Sequence, residues 1–495
     1  MKNAIVIGGG FGGIASALRL RAKSYNVTII ERCSNLGGRA QVFSQNGFKH
    51  DIGPTVITAP FLFEELFDLF GKNMADYITL VPLDPWYRFV YQDGSIFNYG
   101  GSVNDTLNQI EKFNKDDKSG YLRLLEASKE IFDIGFTELA DQPFHEISTM
   151  IKQVPRLIRL KSYRTVWKHV SAFIKDEKLR QALSIQPLLV GGNPFDTTNI
   201  YGLIHYLERK WGVHFAMGGT GAIVKALTDL LNSLGVQVKL NTTVAKVQIK
   251  NSKVYGVKLE NGREIVADIV VSNADPLHLY GSMIEKKYHP STLKLKLRKP
   301  RLSMGLFVLF FGTTKKYDNI AHHTIWMGPR YRELLDDIFH KKILANDFSL
   351  YIHRPTATDQ GFAPSGCDSF YVLAPVPNLQ AKINWSEEGS KLQTRIINAL
   401  ERSIMPNLKQ HICEISFMTP EDFSKNYLST EGAGFSIAPE FSQSAWFRFH
   451  NLGEGVENLF LTGAGTHPGG GLPGVLSSAK VIDKLIPSAT SNKVS

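Results

Sequence analysis

Cysteine is scarce in this chain. Cys33, Cys367 and Cys413 are the only three in 495 residues, and no two of them form a CxxC pair. Such a small, odd and scattered set excludes a disulfide framework and a cysteine-based zinc module. We therefore expect a reducing compartment, cysteines that pack as small apolar residues, and no metal site.

Long apolar runs are also missing. Without about twenty consecutive apolar residues, the sequence predicts no membrane-spanning helix. The first residues lead directly into a short apolar stretch and a run of glycines, which is not the pattern of a cleaved signal peptide. Any contact with a membrane is thus expected to be peripheral.

Low-complexity tracts and internal repeats are absent as well, and the composition is that of a globular protein. A chain of 495 residues is too long for one small core, so two or more lobes are expected. The net charge of +10 indicates an anionic partner surface. Because no zinc-finger, homeodomain or RNP-type signature accompanies this charge, an acidic membrane is favoured over nucleic acid.

The clearest motif that is present lies in the first forty residues. Residues 2–7 read as a buried strand, residues 8–13 are a glycine-rich turn, and residues 14–20 have helical spacing. A second apolar strand at 27–30 ends at Glu31. This order of strand, turn, helix, strand and acid predicts a dinucleotide-binding βαβ unit in an α/β fold.

Each part of this unit has a physical role. Gly8 permits a tight turn, Gly10 lets the backbone approach a pyrophosphate, and Gly13 allows close packing of helix on strand. The start of the helix offers unpaired N–H groups to phosphates. Glu31 stands eighteen positions after Gly13, where a carboxylate can accept hydrogen bonds from a ribose.

Two further segments distinguish FAD from NAD. A Leu-Gly-Gly-Arg sequence occupies 36–39 and Asp-Ile-Gly-Pro-Thr occupies 51–55. This series resembles the glutathione-reductase-type flavoproteins of the amine oxidase and phytoene desaturase group. The resemblance implies a Rossmann-like FAD-binding domain with a mixed α+β substrate domain, the backbone of Val244 near the adenine, and FAD contacts from Gly38, Arg39, Gly53, Pro54 and Thr55.

A second glycine-rich loop lies near the C-terminus. A strand pattern at 458–462 leads into the loop 463–474, which contains six glycines, and helical spacing follows at 475–486. Such a loop lets the backbone pass close under a flat ring, and the helix start places partial positive charge near a reduced flavin. Gly463, Gly471, Leu472 and Pro473 are the predicted contacts.

Two basic stretches contain no acidic residues to balance their charge. Residues 147–175 combine seven lysines and arginines with aliphatic residues and Trp167, and residues 286–301 are similarly basic. Basic side chains with interleaved apolar ones suit an interfacial membrane segment, although a solvated basic face over an ordinary core is the alternative. Pro155 is expected to break the first helix.

The remaining patterns indicate several local elements. The aromatic face of residues 60–70 is either core or the wall of an apolar tunnel. Strands around Asp93-Gly94 predict a separate small sheet, and residues 304–311 predict a buried strand. The pattern returns to α/β after residue 206, so the cofactor domain is predicted to be discontinuous, with FAD-binding segments 1–75, 206–276 and 431–495 and substrate segments 76–205 and 277–430.

Nearly end to end, the chain is similar to bacterial phytoene desaturases. The matching segments are GPTVIT at 53–58, LLVGGNPF at 188–195, GGTGA at 218–222, AHHT at 321–324, GPRYREL at 328–334, YVLAPVP at 371–377, QSAWFR at 443–448 and the loop 463–474. The resemblance implies FAD-dependent desaturation of 15-cis-phytoene, a lipophilic C40 polyene, to lycopene or neurosporene. It also implies a peripheral location on the cytoplasmic side of the bacterial inner membrane, with a quinone or oxygen as electron acceptor.

The chemistry needs few side chains, because the cofactor supplies the difficult step. Arg332 and Asp141 are the catalytic candidates, the first to stabilise charge and the second to take a proton; Arg330 and Glu208 are further candidates for the same two roles. A structural ion pair is the alternative for each. Other open alternatives are a carotenoid isomerase or oxygenase of the same family and a non-enzymatic isoprenoid-binding escort. The number of desaturation steps and the oligomeric state are left open.

Overall fold

A computed structural model describes residues 2–490. Its strands, numbered along the chain, are β1 Asn3–Ile7, β2 Asn26–Ile30, β3 Val42–Gln45, β4 Phe48–Asp51, β5 Leu80–Pro82, β6 Tyr87–Val90, β7 Ile96–Tyr99, β8 His214–Ala216, β9 Gln237–Lys239, β10 Val244–Lys250, β11 Lys253–Leu259, β12 Glu264–Val266, β13 Ile269–Ser272, β14 Gly305–Thr313, β15 His323–Trp326, β16 Leu350–His353, β17 Asp368–Val376, β18 Ile412–Met418 and β19 Leu459–Leu461.

The α-helices, numbered in the same way, are α1 Phe11–Ala22, α2 Phe61–Asp68, α3 Val103–Glu111, α4 Asp117–Phe132, α5 Ile147–Arg159, α6 Val166–Ser171, α7 Glu177–Leu183, α8 Leu203–Trp211, α9 Thr220–Ser233, α10 Pro276–His278, α11 Ser291–Arg298, α12 Arg332–Asp336, α13 Trp385–Ser403, α14 Leu408–His411, α15 Pro420–Tyr427 and α16 Leu472–Leu485.

The first layer is a parallel sheet in the order β19, β13, β1, β2, β9. Helices α1, α2, α9 and α16 pack on one face, and the antiparallel sheet β10–β11–β12 packs on the other. Because both faces are covered, the strands are short apolar runs without alternation. This confirms the predicted Rossmann-like layer.

The second layer is a seven-stranded mixed sheet in the order β18, β14, β17, β16, β15, β6, β7. Strand β14 is buried along its whole length, as its apolar run predicts. The hairpin of β6 and β7 also forms, but the prediction that it makes up a small sheet is wrong, because both strands belong to the seven-stranded sheet. Strand β6 instead pairs in parallel with β15, a long-range contact that local patterning does not encode.

Helix α5 continues through Pro155, so the predicted break is also wrong. Proline removes the N–H that would bond to the carbonyl four residues earlier, here that of Ile151. Both Ile151 and Pro155 are exposed, so water can satisfy the carbonyl.

The predicted cofactor segments all contribute strands to the parallel sheet: β1 and β2, then β9 and β13, and finally β19. The five domain boundaries themselves stay a prediction, and Met1 and residues 491–495 of that division lie outside the described residues. On the predicted aromatic face of 60–70, Phe63, Leu66 and Phe67 are at most 1% exposed and pack against α1, which makes them core.

Candidate active site

The turn after β1 has the conformation that its glycines allow. Gly8 has a φ of +89°, and its N–H donates to the Ile30 carbonyl at 2.9 Å. Gly10 is the N-cap of α1, so the first N–H groups of that helix have no partner within the helix. A Cβ added at Gly13 would lie 2.0 Å from the Gly8 carbonyl oxygen, so this glycine is needed for close packing of α1 on the turn.

Glu31 closes the same turn. It follows β2 directly, is 5% exposed, and its carboxylate accepts hydrogen bonds from the N–H groups of Gly9 (2.6 Å) and Cys33 (2.8 Å). These two backbone donors fix the carboxylate beside the glycine turn. A carboxylate in this position can accept hydrogen bonds from ribose hydroxyls.

The backbones of Arg39 and Gly53 pack closely against each other. A Cβ added at Gly53 would lie 2.0 Å from the Arg39 carbonyl oxygen. The Arg39 guanidinium donates to the Gly434 carbonyl (2.5 Å) and to Ser429 Oγ (3.3 Å). Burial lowers the pKa of Arg39, and the nearby Asp275 carboxylate opposes this shift, so the side chain keeps its charge.

The C-terminal glycine loop faces the first turn. Gly463 and Gly471 have φ values of +103° and +83°, which favour glycine, and Gly471 is the N-cap of α16. The Gly463 N–H donates to Ser478 Oγ at 2.9 Å, which ties the loop to its helix. The start of a second long helix therefore opens toward the same space as α1.

These segments line one cavity of about 570 Å³. Gly13 does not line it and instead packs behind the turn. Every other predicted cofactor residue lies on its wall: Gly8, Gly10, Glu31, Gly38, Arg39, Gly53, Pro54, Thr55, Val244, Gly463, Gly471, Leu472 and Pro473.

Asn273 is a site residue that the sequence analysis missed. It follows β13, which neighbours β1 and β19 in the parallel sheet, and it lines the cavity. Cβ atoms added at Gly12 and Gly463 would lie 2.5 and 2.6 Å from its Oδ1. Asn273 thus fills the space between the two glycine segments. Its position at the carboxyl end of a strand in this sheet was the available signal.

The cavity continues into an apolar branch. One wall is the inner face of the seven-stranded sheet, with Leu306, Ile325 and Leu373. Further apolar lining comes from the helices and connecting loops of residues 136–207, with Phe136, Leu139, Phe144, Met150, Leu157, Ile185, Leu188, Leu189, Ile200, Leu203 and Leu207. A space bounded in this way suits a long hydrocarbon.

Glu208 is an ionisable group on this mostly apolar wall. It is fully buried, and its Oε1 accepts a hydrogen bond from the Tyr87 hydroxyl at 2.8 Å, whereas Oε2 has no hydrogen-bond partner among the described residues. Burial raises the pKa of Glu208 to about 7, and the Tyr87 hydrogen bond and the Arg209 charge partly oppose this. Such a carboxyl group can gain or release a proton near neutral pH.

The two named catalytic candidates lie elsewhere. The Arg332 side chain is exposed and stacks on Phe195, with the guanidinium 3.8 Å from the ring centre. Asp141 forms a salt bridge of 2.8 Å with Lys484. Neither lines the cavity in the part of the chain that the structure describes. Arg330 is paired with Asp337 and Asp347 at 3.0 and 2.5 Å. The proposed roles of Arg332 and Asp141 stay predictions that the geometry does not support.

The cavity residues fit FAD. The glycine segments leave space that side chains would fill, and the starts of α1 and α16 supply N–H groups and positive dipole ends toward anionic groups. Glu31 offers acceptors for ribose, and Arg39 adds a fixed positive charge. The part of the cavity lined by the predicted FAD-binding residues and the apolar branch form one continuous space.

Comparison with known proteins identifies the family. The model of the flavin containing amine oxidoreductase family matches residues 11–481. The chain is 46% identical to a lycopene-forming phytoene desaturase of Pantoea ananas, over 98% of this chain and 99% of that protein. It is 40% identical to a neurosporene-forming phytoene desaturase of Rhodobacter capsulatus, over 99% and 94% of the two chains.

A solved oxidoreductase from Methanosarcina mazei shares the fold, with a TM-score of 0.64 and 15% identity, over 97% of this chain and 100% of that one. The family match and the near full-length relatives agree with the geometry of the cavity. The chain therefore belongs to the flavin containing amine oxidoreductases and, within them, to the phytoene desaturases, FAD-dependent oxidoreductases of carotenoid biosynthesis.

Proposed function

We propose that this protein desaturates 15-cis-phytoene by successive dehydrogenations, with lycopene as the final product. The observation that carries the proposal is that one cavity joins the predicted FAD-binding residues to an apolar branch. An enzyme that oxidises a C–C bond in a hydrocarbon must hold it against the cofactor without polar handles, so positioning by apolar walls is its main task.

In each round, one carbon of a saturated C–C bond loses a hydride and its neighbour loses a proton, and a double bond forms between them. Bound FAD supplies the two-electron acceptor for the hydride. The chain contributes the rest. Its glycine segments and helix starts bind the dinucleotide, and the walls formed by the sheet and the helices align the polyene and exclude water.

We assign the proton to Glu208 Oε2. This atom has no hydrogen-bond partner in the described residues, and a pKa of about 7 makes the carboxylate a stronger base while part of it is still ionised near neutral pH. Two neighbouring groups lower the pKa of Glu208 against the effect of burial: the Tyr87 hydroxyl and the Arg209 charge. The guanidinium of Arg209 lies 4.5 Å from the centre of the Trp86 ring and is held there by contacts independent of Glu208.

Substrate entry is proposed from the cytoplasmic side of the bacterial inner membrane, through α5. None of the helices within residues 2–490 combines the length and the apolar character that crossing a bilayer requires. Helix α5 exposes Ile147, Ile151, Val154 and Ile158 by 41–62%. These residues recur at helical spacing, and Lys152 and Arg159 flank them, as in a helix that lies in a membrane interface.

The neighbouring face of α5 supports the same proposal. Met150, Gln153 and Leu157 line the cavity, so one helix has an exposed apolar face outside and the substrate branch inside. A hydrocarbon that leaves the bilayer beside α5 would reach the apolar wall without crossing water.

In two other parts of the predicted membrane surface, the side chains are buried in the core or paired with acidic residues. Beyond α5, Val166, Val170 and Ile174 are fully buried, and Trp167 packs on Phe195 with ring centres 4.8 Å apart. In 286–301, Lys296 is paired with Glu454 at 3.0 Å and Arg301 with Glu440 at 2.6 Å. We therefore restrict the membrane proposal to α5.

Product analysis tests the proposed function. Purified protein with FAD is incubated with liposomes that contain 15-cis-phytoene and a quinone, or with oxygen instead, and the polyenes are separated by chromatography. Lycopene is the expected product. The electron acceptor is whichever of the two, quinone or oxygen, sustains turnover. Accumulation of neurosporene would revise the number of steps.

The same assay separates the rival functions. Isomerised polyene without a change in hydrogen content would identify an isomerase, and oxygen in the product would identify an oxygenase. Folded protein that binds phytoene but no FAD would identify an escort. Each of these results would overturn the desaturase proposal.

A further inference from the structure

Three buried histidines converge beside the cavity. His323 begins β15, His322 precedes it, and His353 ends β16, where it is the cross-strand partner of His323. Their ring centres are 4.7, 4.9 and 5.4 Å apart, and their exposed fractions are 5%, 0% and 0%. This close packing brings three imidazoles together in a site with almost no solvent contact.

One nitrogen of each ring is held from outside the cluster. His322 Nδ1 is 2.7 Å from Thr358 Oγ1, His323 Nδ1 is 2.7 Å from the Tyr351 hydroxyl, and His353 Nε2 is 3.2 Å from Asp51 Oδ2. The other oxygen of Asp51 accepts from the N–H and hydroxyl of Thr220. These contacts fix the orientation of all three rings.

The other nitrogen of each ring has no hydrogen-bond partner within residues 2–490: Nε2 of His322, Nε2 of His323 and Nδ1 of His353. One ligand atom from each histidine lies within 4.8 Å of those of the other two. Burial without a hydrogen bond is unfavourable for a ring nitrogen, so three together call for a common partner.

We propose that His322, His323 and His353 bind a divalent first-row transition-metal ion, for which Zn²⁺ is the best match to the ligand set. Neutral imidazoles are common ligands of such ions, and an outer hydrogen bond on the second nitrogen is typical of metal-bound histidine. The Asp51–His353 contact is the carboxylate–histidine pair of such sites. A water molecule would complete a four-coordinate shell.

The geometry needs only a small closure to hold the ion. Zn–N bonds of about 2.0–2.1 Å place the nitrogens of a tetrahedral site about 3.3 Å apart, so the three ligand atoms, which lie within 4.8 Å of one another, approach by up to about 1.5 Å when the ion binds.

The metal would act as a structural element of the cavity wall. His323 contacts the Tyr351 hydroxyl, which is hydrogen-bonded to Thr55 Oγ1 at 2.5 Å, and both Tyr351 and Thr55 line the cavity. Asp51 begins the segment 51–55 on the FAD side. An ion here would therefore join the seven-stranded sheet to a predicted FAD-binding segment, without itself lining the cavity in the described part of the chain.

The test is metal content of the untagged, full-length FAD-loaded protein, purified without chelators, incubated with ZnCl₂ and desalted. Elemental analysis is expected to find about one ion per chain. His323→Ala and His353→Ala should lose it, whereas His340→Ala, which removes a half-exposed histidine, should keep it. Asp51→Asn should retain the ligands but bind the ion about 10–100-fold more weakly.

If the histidine variants do not fold, measurements on the wild-type chain alone test whether it binds the ion. Removal of the ion by a chelator should lower the melting temperature, and added Zn²⁺ should restore it; Co²⁺ should give the visible absorption of a nitrogen-ligated site. Less than about a tenth of an ion per chain after zinc loading, with no thermal shift, would overturn the proposal. Metal content is independent of turnover, so this outcome is separable from failure of the desaturase assay.

Discussion

At the scale of residues, two kinds of position determine the site. Gly8, Gly10 and Gly471 are needed because a side chain would occupy the space or strain the backbone that approaches FAD. Glu208 is different, because an acid at this position gains its properties from burial and from Tyr87. The first kind depends on local backbone geometry, and the second depends on the assembled fold.

Replacing Glu208 tests the proton assignment. Glu208→Gln keeps the shape but cannot accept the proton, so the rate of anaerobic flavin reduction by phytoene should fall about 10²–10⁴-fold. In the wild type this rate should rise with pH through a midpoint near 7 and level off above it, because only the deprotonated carboxylate is a base.

Tyr87→Phe is the matched variant. It removes the hydrogen bond that lowers the Glu208 pKa, so the rising limb of the pH profile should move to higher pH while the plateau persists. If the Glu208→Gln variant kept the rate and pH profile of the wild type, the assignment would be refuted.

The close contact at Gly13 gives a second prediction. In Gly13→Ala the added methyl would meet the Gly8 carbonyl oxygen at 2.0 Å, so α1 or the turn must shift. A loss of about 1–3 kcal/mol in the free energy of unfolding is expected, together with weaker FAD retention. Denaturant unfolding and flavin content measure both effects.

Gly281→Ala is the control for that change, because Gly281 is exposed and a methyl there meets nothing within 4 Å. It should leave stability and flavin content near those of the wild type. Equal behaviour of the two variants would mean that the packing of α1 on the turn is less tight than the structure indicates.

The residues that could be predicted from the sequence share one property. They lie in short segments where the spacing of residues along the chain determines the local backbone geometry, so the sequence is enough to identify them. These residues are Gly8, Glu31, Arg39 and Gly463. Asn273 reaches the site only through strand pairing across the sheet. The histidine cluster combines a pair at 322–323 with His353 from the next strand, and for this reason the sequence predicted no metal site.

At the scale of elements, α5 has two apolar faces with different surroundings. One lines the cavity and the other is exposed, with basic residues beside it. The sequence indicated the charge and the apolar character, but not which part of 147–175 is core. The burial of the α6 side chains was decided by packing, and the continuation of α5 through Pro155 depends on the exposure of that part of the helix to water.

Substitutions on the exposed face test the membrane role. Ile151 and Ile158 are 61% and 62% exposed, so Ile151→Asp and Ile158→Asp should leave the fold intact while they weaken cosedimentation with anionic liposomes. Flavin content checks the fold. The rate of flavin reduction by phytoene supplied in liposomes should slow in parallel.

Val266→Asp is the matched control, since Val266 is 71% exposed on β12, and liposome binding should be unchanged. Leu295→Asp, at a 73% exposed position of α11, examines the second basic stretch and should also have little effect. Undiminished binding of the two α5 variants would contradict the proposed entry route.

At the scale of the whole molecule, the site exists only because distant segments meet. The parallel sheet combines strands from the start, the middle and the end of the chain, and the seven-stranded sheet adds β6 and β7 from another region. The fold class was readable from local patterns, since each βα unit carries its own signature. The pairing of β6 with β15 could not be predicted in this way, because no local pattern specifies a partner strand more than two hundred residues away.

The central claim is that one cavity brings a C40 hydrocarbon to bound FAD. The most direct measurement is the absorbance of the FAD-loaded protein mixed anaerobically with phytoene liposomes and no other acceptor. We predict bleaching of the oxidised flavin band, with the return of the band and the appearance of coloured polyenes once a quinone is added. Bound flavin that stays oxidised in the presence of phytoene would contradict the account.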